Sequence, residues 1–212
     1  MSSQAGKRGR AFIVGRPALV MIDFHRSMYV SASEGGIPHM SGAHERVTRA
    51  RNLVAAARDS GVPVIFIQEV HRPDRVDFGR ELDGQEDIHC VEGQRLTELA
   101  AEDVDFRKED YLVPKRRYSA FFATDLEILL KGLKVETLIL TGVLTDVCVH
   151  YTFVDAHQHD YHCRVVEDCV GGSSHEAHDS ALRAMEYLQT GARCTSLAVR
   201  EAFGALKTVR VA

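Results

Sequence analysis

Short, unbroken apolar runs alternate along this chain with stretches whose apolar residues recur every three or four positions. Ala18 to Ile22 (ALVMI), Val62 to Ile67 (VPVIFI) and Thr137 to Leu140 are runs of the first kind. Such runs suit strands buried on both faces. Pro63 stands at the entrance of the second run, where a missing N–H does least harm. Tyr111 to Val113, Arg164 to Val166 and Thr195 to Val199 are shorter strand candidates. In the second kind of stretch, residues 43–60 space Val47, Ala50, Val54 and Ala57 as one helical face, stopped by Gly61. Residues 125–133, 147–160 and 176–190 read as further helices. Thr124 is the expected N-cap of the first of these, with Glu127 completing a capping box. The order β-α-β-β-α-β-α-β-α-β predicts an α/β fold: a Rossmann-like, three-layer α/β/α arrangement around a mostly parallel six-stranded sheet.

Residues 68–110 break this rhythm. They are polar and irregular, with one weak helical patch around 94–102, and a connection of that length is usually functional or peripheral. The chain has 212 residues, which suits a single domain with a full core. Residues 1–10 are expected to form a flexible tail. The net charge of -4 is spread among interspersed acids and bases, so no basic field points to nucleic acid. No apolar run approaches the ~20 residues of a membrane span, and the N-terminus lacks the apolar core of a secretory signal. Five cysteines (Cys90, Cys148, Cys163, Cys169, Cys194) show no CxxC spacing. An odd number without metal spacing suits a reduced, cytoplasmic protein better than a disulfide scaffold.

Chemistry enters at the strand ends. In an open α/β sheet, ligands bind beyond the carboxyl ends of the strands. Asp23 follows the first strand, Lys115 the third and Cys148 the fourth. A thiol nucleophile needs a proton acceptor and a positive neighbour, and parallel strands bring all three to one edge. Cys148 stands at the expected start of a helix, where the dipole favours a thiolate. Each residue also has a plain structural reading: a loop carboxylate, a surface lysine, a buried thiol acting as a small hydrophobe.

The motifs ALVMIDF (18–24), KRRYSAFFATDLEILL (115–130), GVLTDVCVHYT (142–152) and VVEDCVGG (165–172) occur in an order that resembles the isochorismatase-like cysteine hydrolase superfamily, on its amidohydrolase branch. The resemblance covers roughly residues 17 to 200. It implies a catalytic triad of Asp23, Lys115 and Cys148. It also implies a non-proline cis peptide at Val143-Leu144, which turns the Leu144 N–H to join the Cys148 N–H as an oxyanion hole. The implied activity is hydrolysis of a C–N bond in a small linear amide, ureido or carbamoyl compound through an acyl-enzyme. Two alternatives stay within the family: a metal-dependent, nicotinamidase-like amidase, and an isochorismatase-type vinyl ether hydrolase. Cys148 argues against the second, which needs no thiol. An alternative of another class is a non-catalytic ligand-binding or assembly protein, which has no evident need for all three residues.

Where many relatives carry glutamine two residues past the aspartate, this chain carries His25. His25, Tyr29, Arg117, Tyr118, Phe121 and Tyr151 are candidates for the substrate pocket, the aromatics being equally suited to the core. No cofactor is favoured. The alternative is a divalent metal, zinc or iron, because Glu69, His71 and His89 imitate imperfectly the Asp-x-His and later His of nicotinamidases. Against that stands the reading that both histidines simply hydrogen-bond the loop. The family pattern also implies a homo-oligomer, a dimer or tetramer, in which a neighbouring subunit could complete the pocket.

Overall fold

Six strands form one sheet: β1 (Arg16–Ile22), β2 (Val64–Glu69), β3 (Tyr111–Lys115), β4 (Val135–Val143), β5 (His162–Gly171) and β6 (Arg193–Cys194). Their spatial order is β3-β2-β1-β4-β5-β6, and every neighbouring pair runs parallel. This computed structural model describes residues 11–210, so the tail expected at 1–10 lies outside the described residues. The sheet is therefore wholly parallel, where the sequence predicted mostly parallel.

The apolar runs are unbroken because each strand feeds two cores. Ala18, Val20 and Ile22 of β1 point into one, and Leu19 and Met21 into the other. Helices α2 (Leu126–Gly132), α3 (His150–Gln158) and α4 (His175–Leu188) cover the first face, through Leu126 and Leu130, Phe153 and Ala156, and Leu182 and Met185. Helices α1 (Ala43–Asp59) and α5 (Ser196–Arg210) cover the second, through Leu53, Val54 and Ala57 and through Val199 and Phe203. The result is the expected three layers.

Four local expectations are corrected. Thr195 to Val199 does not continue the sheet; β6 stops at Cys194 and α5 begins at Ser196. Val199, Phe203 and Leu206 lie at helical spacing against the second core. The Asp168 carboxylate, from β5, accepts the Ser196 N–H at 2.8 Å and its hydroxyl at 2.6 Å. That cap comes from 28 residues away and leaves no local signature. The helix at 147–160 is two pieces, a π-helical turn over Thr145–Val149 followed by α3. The capping box at Thr124 and Glu127 does not form. Asp125 takes the cap position, and Glu127 pairs with Lys131 one turn on. The patch at 94–102 contains only a 3-10 turn at Arg95–Thr97. Among the described residues no helix is long and apolar enough to cross a membrane.

Candidate active site

The strand order explains the site. Lys115 is the last residue of β3 and pairs in register with Glu69, the last residue of β2. Asp23 follows β1, and the turn bearing Cys148 follows β4. The carboxyl ends of β3, β2, β1 and β4 thus set Lys115, Glu69, Asp23 and Cys148 side by side, and all four are buried. Asp23 adopts a left-handed backbone with φ of 53°, uncommon for a residue with a side chain and frequent at functional positions.

Lys115 is the hub. Its Nζ lies 2.9 Å from Asp23 Oδ2 and 3.3 Å from Cys148 Sγ, and it also pairs with Glu69 Oε2. Asp23 Oδ1 accepts the Glu69 N–H at 2.7 Å, which fixes the carboxylate. The Cys148 thiol donates to Glu69 Oε2 at 3.5 Å, and the donor atoms of Asp23, Glu69 and Cys148 all lie within 4.8 Å of one another. The cysteine therefore faces two carboxylates.

Burial first, and that surplus of negative charge after it, act on its protonation. Burial pushes the Cys148 thiol up, Lys115 pulls it down, and Glu69 and Asp23 push it up again; the net is well above the ordinary thiol range. Lys115 is held well above the ordinary lysine range because Asp23, Cys148 and Glu69 outweigh its burial. Glu69, for which burial acts upward, is carried well below the carboxylate range by Lys115, His71 and His89. These directions favour the protonated thiol and the charged ammonium. Lys115 favours the thiolate and the two carboxylates oppose it, and Cys148 sits in the fourth position of the π-helical turn.

The Val143-Leu144 peptide is cis. Just before it, Gly142 has φ of 117°, and a Cβ there would stand 1.9 Å from the Ile22 carbonyl oxygen, so no side chain fits. Leu144 and Cys148 line a cavity whose walls are mainly apolar.

Of the pocket candidates, His25 and Tyr118 line this cavity. The other four do not. Tyr29 stacks on His44 and donates to Asp103 at 3.0 Å, which ties two loops. Arg117 donates to the Asp77 and Arg116 carbonyls and so braces the long loop. Phe121 packs against His159 and Tyr161. Tyr151 is exposed and leans on Tyr118 from outside. Cys90 lies in the cavity wall with its sulfur 3.5 Å from His25 Nδ1. All five cysteines are free.

Residues 70–110 fold over the β2 end and bring Glu69, His71 and His89 together, joined by Glu81. One donor atom from each of these four buried residues lies within 4.8 Å of the others. His71 Nε2 is 3.6 Å from Glu69 Oε1 and 3.1 Å from Glu81 Oε2, while its Nδ1 is 3.5 Å from Asp77. Neither nitrogen of His71 nor either oxygen of Glu81 has an aligned hydrogen bond. His89 faces acceptors on both sides, the Asp87 carbonyl at 2.7 Å and Glu69 Oε1 at 3.0 Å. Its ring is then either an imidazolium or a ligand to a cation. Burial works against a charged His71, but Glu69 and Glu81 win and raise it to about 9. Two imidazoles, two carboxylates and misaligned buried polar atoms fit a divalent metal such as zinc or iron. Glu81 lies 12 residues past Glu69 in an irregular loop, and no spacing rule pointed to it.

Comparison with known proteins agrees with this architecture. The isochorismatase domain family model matches residues 17–199. Maleamate amidohydrolase of Pseudomonas putida is 33% identical over 171 residues, which cover 79% of this chain and 78% of that protein. Ureidoacrylate amidohydrolase RutB of Yersinia enterocolitica is 31% identical over 180 residues, 74% of this chain and 76% of that protein. Among solved structures, N-carbamoylsarcosine amidase from Thermoplasma acidophilum superposes with a TM-score of 0.68 at 26% identity, covering 86% of this chain and 97% of that one. The chain belongs to the isochorismatase family, and it is a hydrolase acting on C–N bonds.

Proposed function

We propose that this chain is a cysteine amidohydrolase that cleaves a small linear amide or ureido compound through a covalent acyl-enzyme. The observation that carries the reading is the position of Lys115 Nζ, 3.3 Å from Cys148 Sγ and 2.9 Å from Asp23 Oδ2, in a buried site. A lysine that served stability alone would need only the carboxylates. Here it also stands ready to stabilise a sulfur anion as the anion forms.

The raised Cys148 thiol makes proton transfer part of the attack. As sulfur bonds to the substrate carbonyl carbon, its proton passes to Asp23, whose Oδ2 faces Lys115 without an aligned hydrogen bond. The carbonyl oxygen becomes an oxyanion, for which the Leu144 and Cys148 amides are the proposed donors. Collapse breaks the C–N bond, and Asp23 returns the proton to the departing nitrogen. Water then attacks the thioester with Asp23 as base; the C–S bond breaks and the thiol recovers its proton. A screen for ammonia release over amides, ureas and carbamoyl compounds tests this, with Cys148→Ala as control. An acyl adduct seen by intact mass on the wild type and absent from the control supports it. Turnover that survives Cys148→Ala overturns it.

One observation favours a second reading, a metal-dependent amidase: the convergence of Glu69, His71, Glu81 and His89 beside the triad. These four residues would hold the ion, and Asp77 would orient His71 through Nδ1. A bound divalent ion supplies Lewis-acid polarisation of a substrate acceptor atom. Glu69 touches both sets, through Oε1 to His89 and through Oε2 to Lys115. Metal content of the purified protein, together with the effect of EDTA on thermal unfolding and turnover, separates the two readings.

A further inference from the structure

Two of the sequence motifs hold residues that the triad and the histidine cluster leave without a role: Thr145 and Asp146 in GVLTDVCVHYT, and Gly172 in VVEDCVGG. Thr145 and Asp146 stand between Leu144 and Cys148, whose amides are the proposed oxyanion donors. The stretch is the π-helical turn, in which the Val147 and Val149 N–H groups both donate to the Leu144 carbonyl at 3.1 Å. Such turns are rare and frequently sit at functional positions.

The turn is tied from outside to the start of α4. Asp146 Oδ1 accepts the Ser173 N–H at 2.8 Å, and Oδ2 accepts the Ser173 hydroxyl at 2.6 Å. Both oxygens are thus engaged by one residue, and bonds to a carboxylate are the stronger kind. Thr145, fully buried, shares a hydrogen bond of 2.9 Å with Nδ1 of His178, a residue of α4. The anchor is itself firm. Ser174, the N-cap of α4, accepts the Ala177 N–H at 3.1 Å, and Leu182 and Met185 enter the core. Gly172 is the seat of the contact. A Cβ there would stand 2.7 Å from Asp146 Oδ1 and 2.8 Å from His178 Cβ, so a side chain would part the two. Neither Thr145 nor Asp146 lines the cavity that holds the thiol, so any effect on the reaction passes through the turn.

We infer that Asp146 and Thr145 are positioning residues: by tying the turn to the start of α4 they hold the Leu144 and Cys148 amides on one point, the place of the oxyanion. The inference rests on the acyl-enzyme reading, in which that oxyanion forms. Oxyanion donors act at about 2.7–3.1 Å from the oxygen, so a small rotation of the turn costs rate without removing the thiol.

Two reagents separate aim from access. p-Nitrophenyl acetate acylates a thiol through a tetrahedral oxyanion: sulfur bonds to the carbonyl carbon, the thiol proton passes to Asp23, and the ester C–O bond breaks to release p-nitrophenolate. Methyl methanethiosulfonate needs no oxyanion: sulfur bonds to the methylthio sulfur, methanesulfinate leaves, and the proton goes to solvent. Both rates are read on the full-length protein from the mass of the peptide that carries Cys148. The ratio of acylation to thiolation is expected to fall roughly ten- to a hundredfold in Asp146→Asn, Thr145→Val and Gly172→Ala, with thiolation near the wild-type rate. Gly172→Ala removes no hydrogen-bonding group and only pushes the tie apart. Thr145→Ser, which keeps the hydroxyl, is expected to restore the wild-type ratio. An unchanged ratio, or an equal loss of both rates, would leave a purely structural clasp and overturn the positioning role alone. If wild-type Cys148 takes the methylthio group but no acetyl group, the acyl-enzyme reading fails and the positioning role falls with it.

Discussion

Two polar clusters meet at Glu69, and they are built in different ways. The triad cluster hangs from four consecutive strand ends, where the sheet fixes each backbone position. The histidine cluster hangs from one strand end and a long irregular connection. In the first, Lys115 pairs with both carboxylates and the Glu69 amide pins Asp23 through Oδ1, and one oxygen, Asp23 Oδ2, is left without an aligned hydrogen bond. In the second, His71 and Glu81 approach each other without aligned hydrogen bonds. The strand-built cluster leaves one oxygen, Asp23 Oδ2, without an aligned hydrogen bond, while the loop-built cluster leaves both nitrogens of His71 and both oxygens of Glu81 to spare for a ligand.

The comparison breaks most sharply at the nucleophile. Cys148→Ser is expected to lower ammonia release by at least ~10³-fold, because a serine beside these carboxylates lacks an activating base of adequate strength. The histidine cluster should be untouched, with bound metal unchanged by elemental analysis. Retention of a tenth of wild-type turnover would move the chemistry away from the sulfur. Lys115→Met comes next. It leaves Asp23 and Glu69 buried without their cation, a change expected to cost about 3–5 kcal/mol of stability as well as most of the turnover. Chemical denaturation measures the first effect and the ammonia assay the second. A variant as stable as wild type would show that water or a histidine already neutralises the carboxylates.

Glu81→Gln sharpens the comparison from the other side. It removes a donor from the loop cluster and touches nothing in the triad. Affinity for zinc or iron, followed by competition with a chelator, is expected to fall about 10- to 100-fold, while the rate of Cys148 alkylation stays constant. Glu69→Gln should disturb both measurements, because Glu69 serves both clusters. If Glu81→Gln alters alkylation with no change in metal affinity, the two clusters are one electrostatic unit.

The same contrast explains what the sequence revealed. Asp23, Lys115 and Cys148 were legible because buried parallel strands leave unbroken apolar runs, and the reactive residues follow those runs directly. Gly142 before the cis peptide is equally local in origin. Glu81 was invisible, because its place depends on how residues 70–110 fold back over β2, and periodicity carries no information about such a path. The start of α5 failed as a strand because its cap, Asp168, is supplied through space. The aromatics Tyr29, Phe121 and Tyr151 carried no directional signal, and each found a loop, core or surface partner instead of the cavity.

The smallest expected effect concerns the proton on Cys148. Its folded-state pKa is raised, so below the ordinary thiol value of about 8.5 the folded and unfolded chains both keep the proton, and stability is unaffected by this group. Above that value the unfolded chain releases the proton and the folded chain does not. Stability then falls as pH rises, by up to ~1.4 kcal/mol per pH unit, until the folded pKa is passed. Lys115 acts with the same sign at still higher pH: its contribution is present below the unfolded lysine value and is lost as pH rises through the raised folded one. Wild type and Cys148→Ala should therefore differ in alkaline sensitivity. Between pH 7.5 and 9.5 the wild type is expected to lose on the order of 1 kcal/mol more than the variant, read from urea midpoints. Equal losses would mean an unshifted thiol, and a smaller loss in the wild type than in the variant would mean that Cys148 is already ionised at neutral pH. Lys115 would then outweigh both carboxylates, and proton transfer to Asp23 would precede substrate binding instead of accompanying the attack.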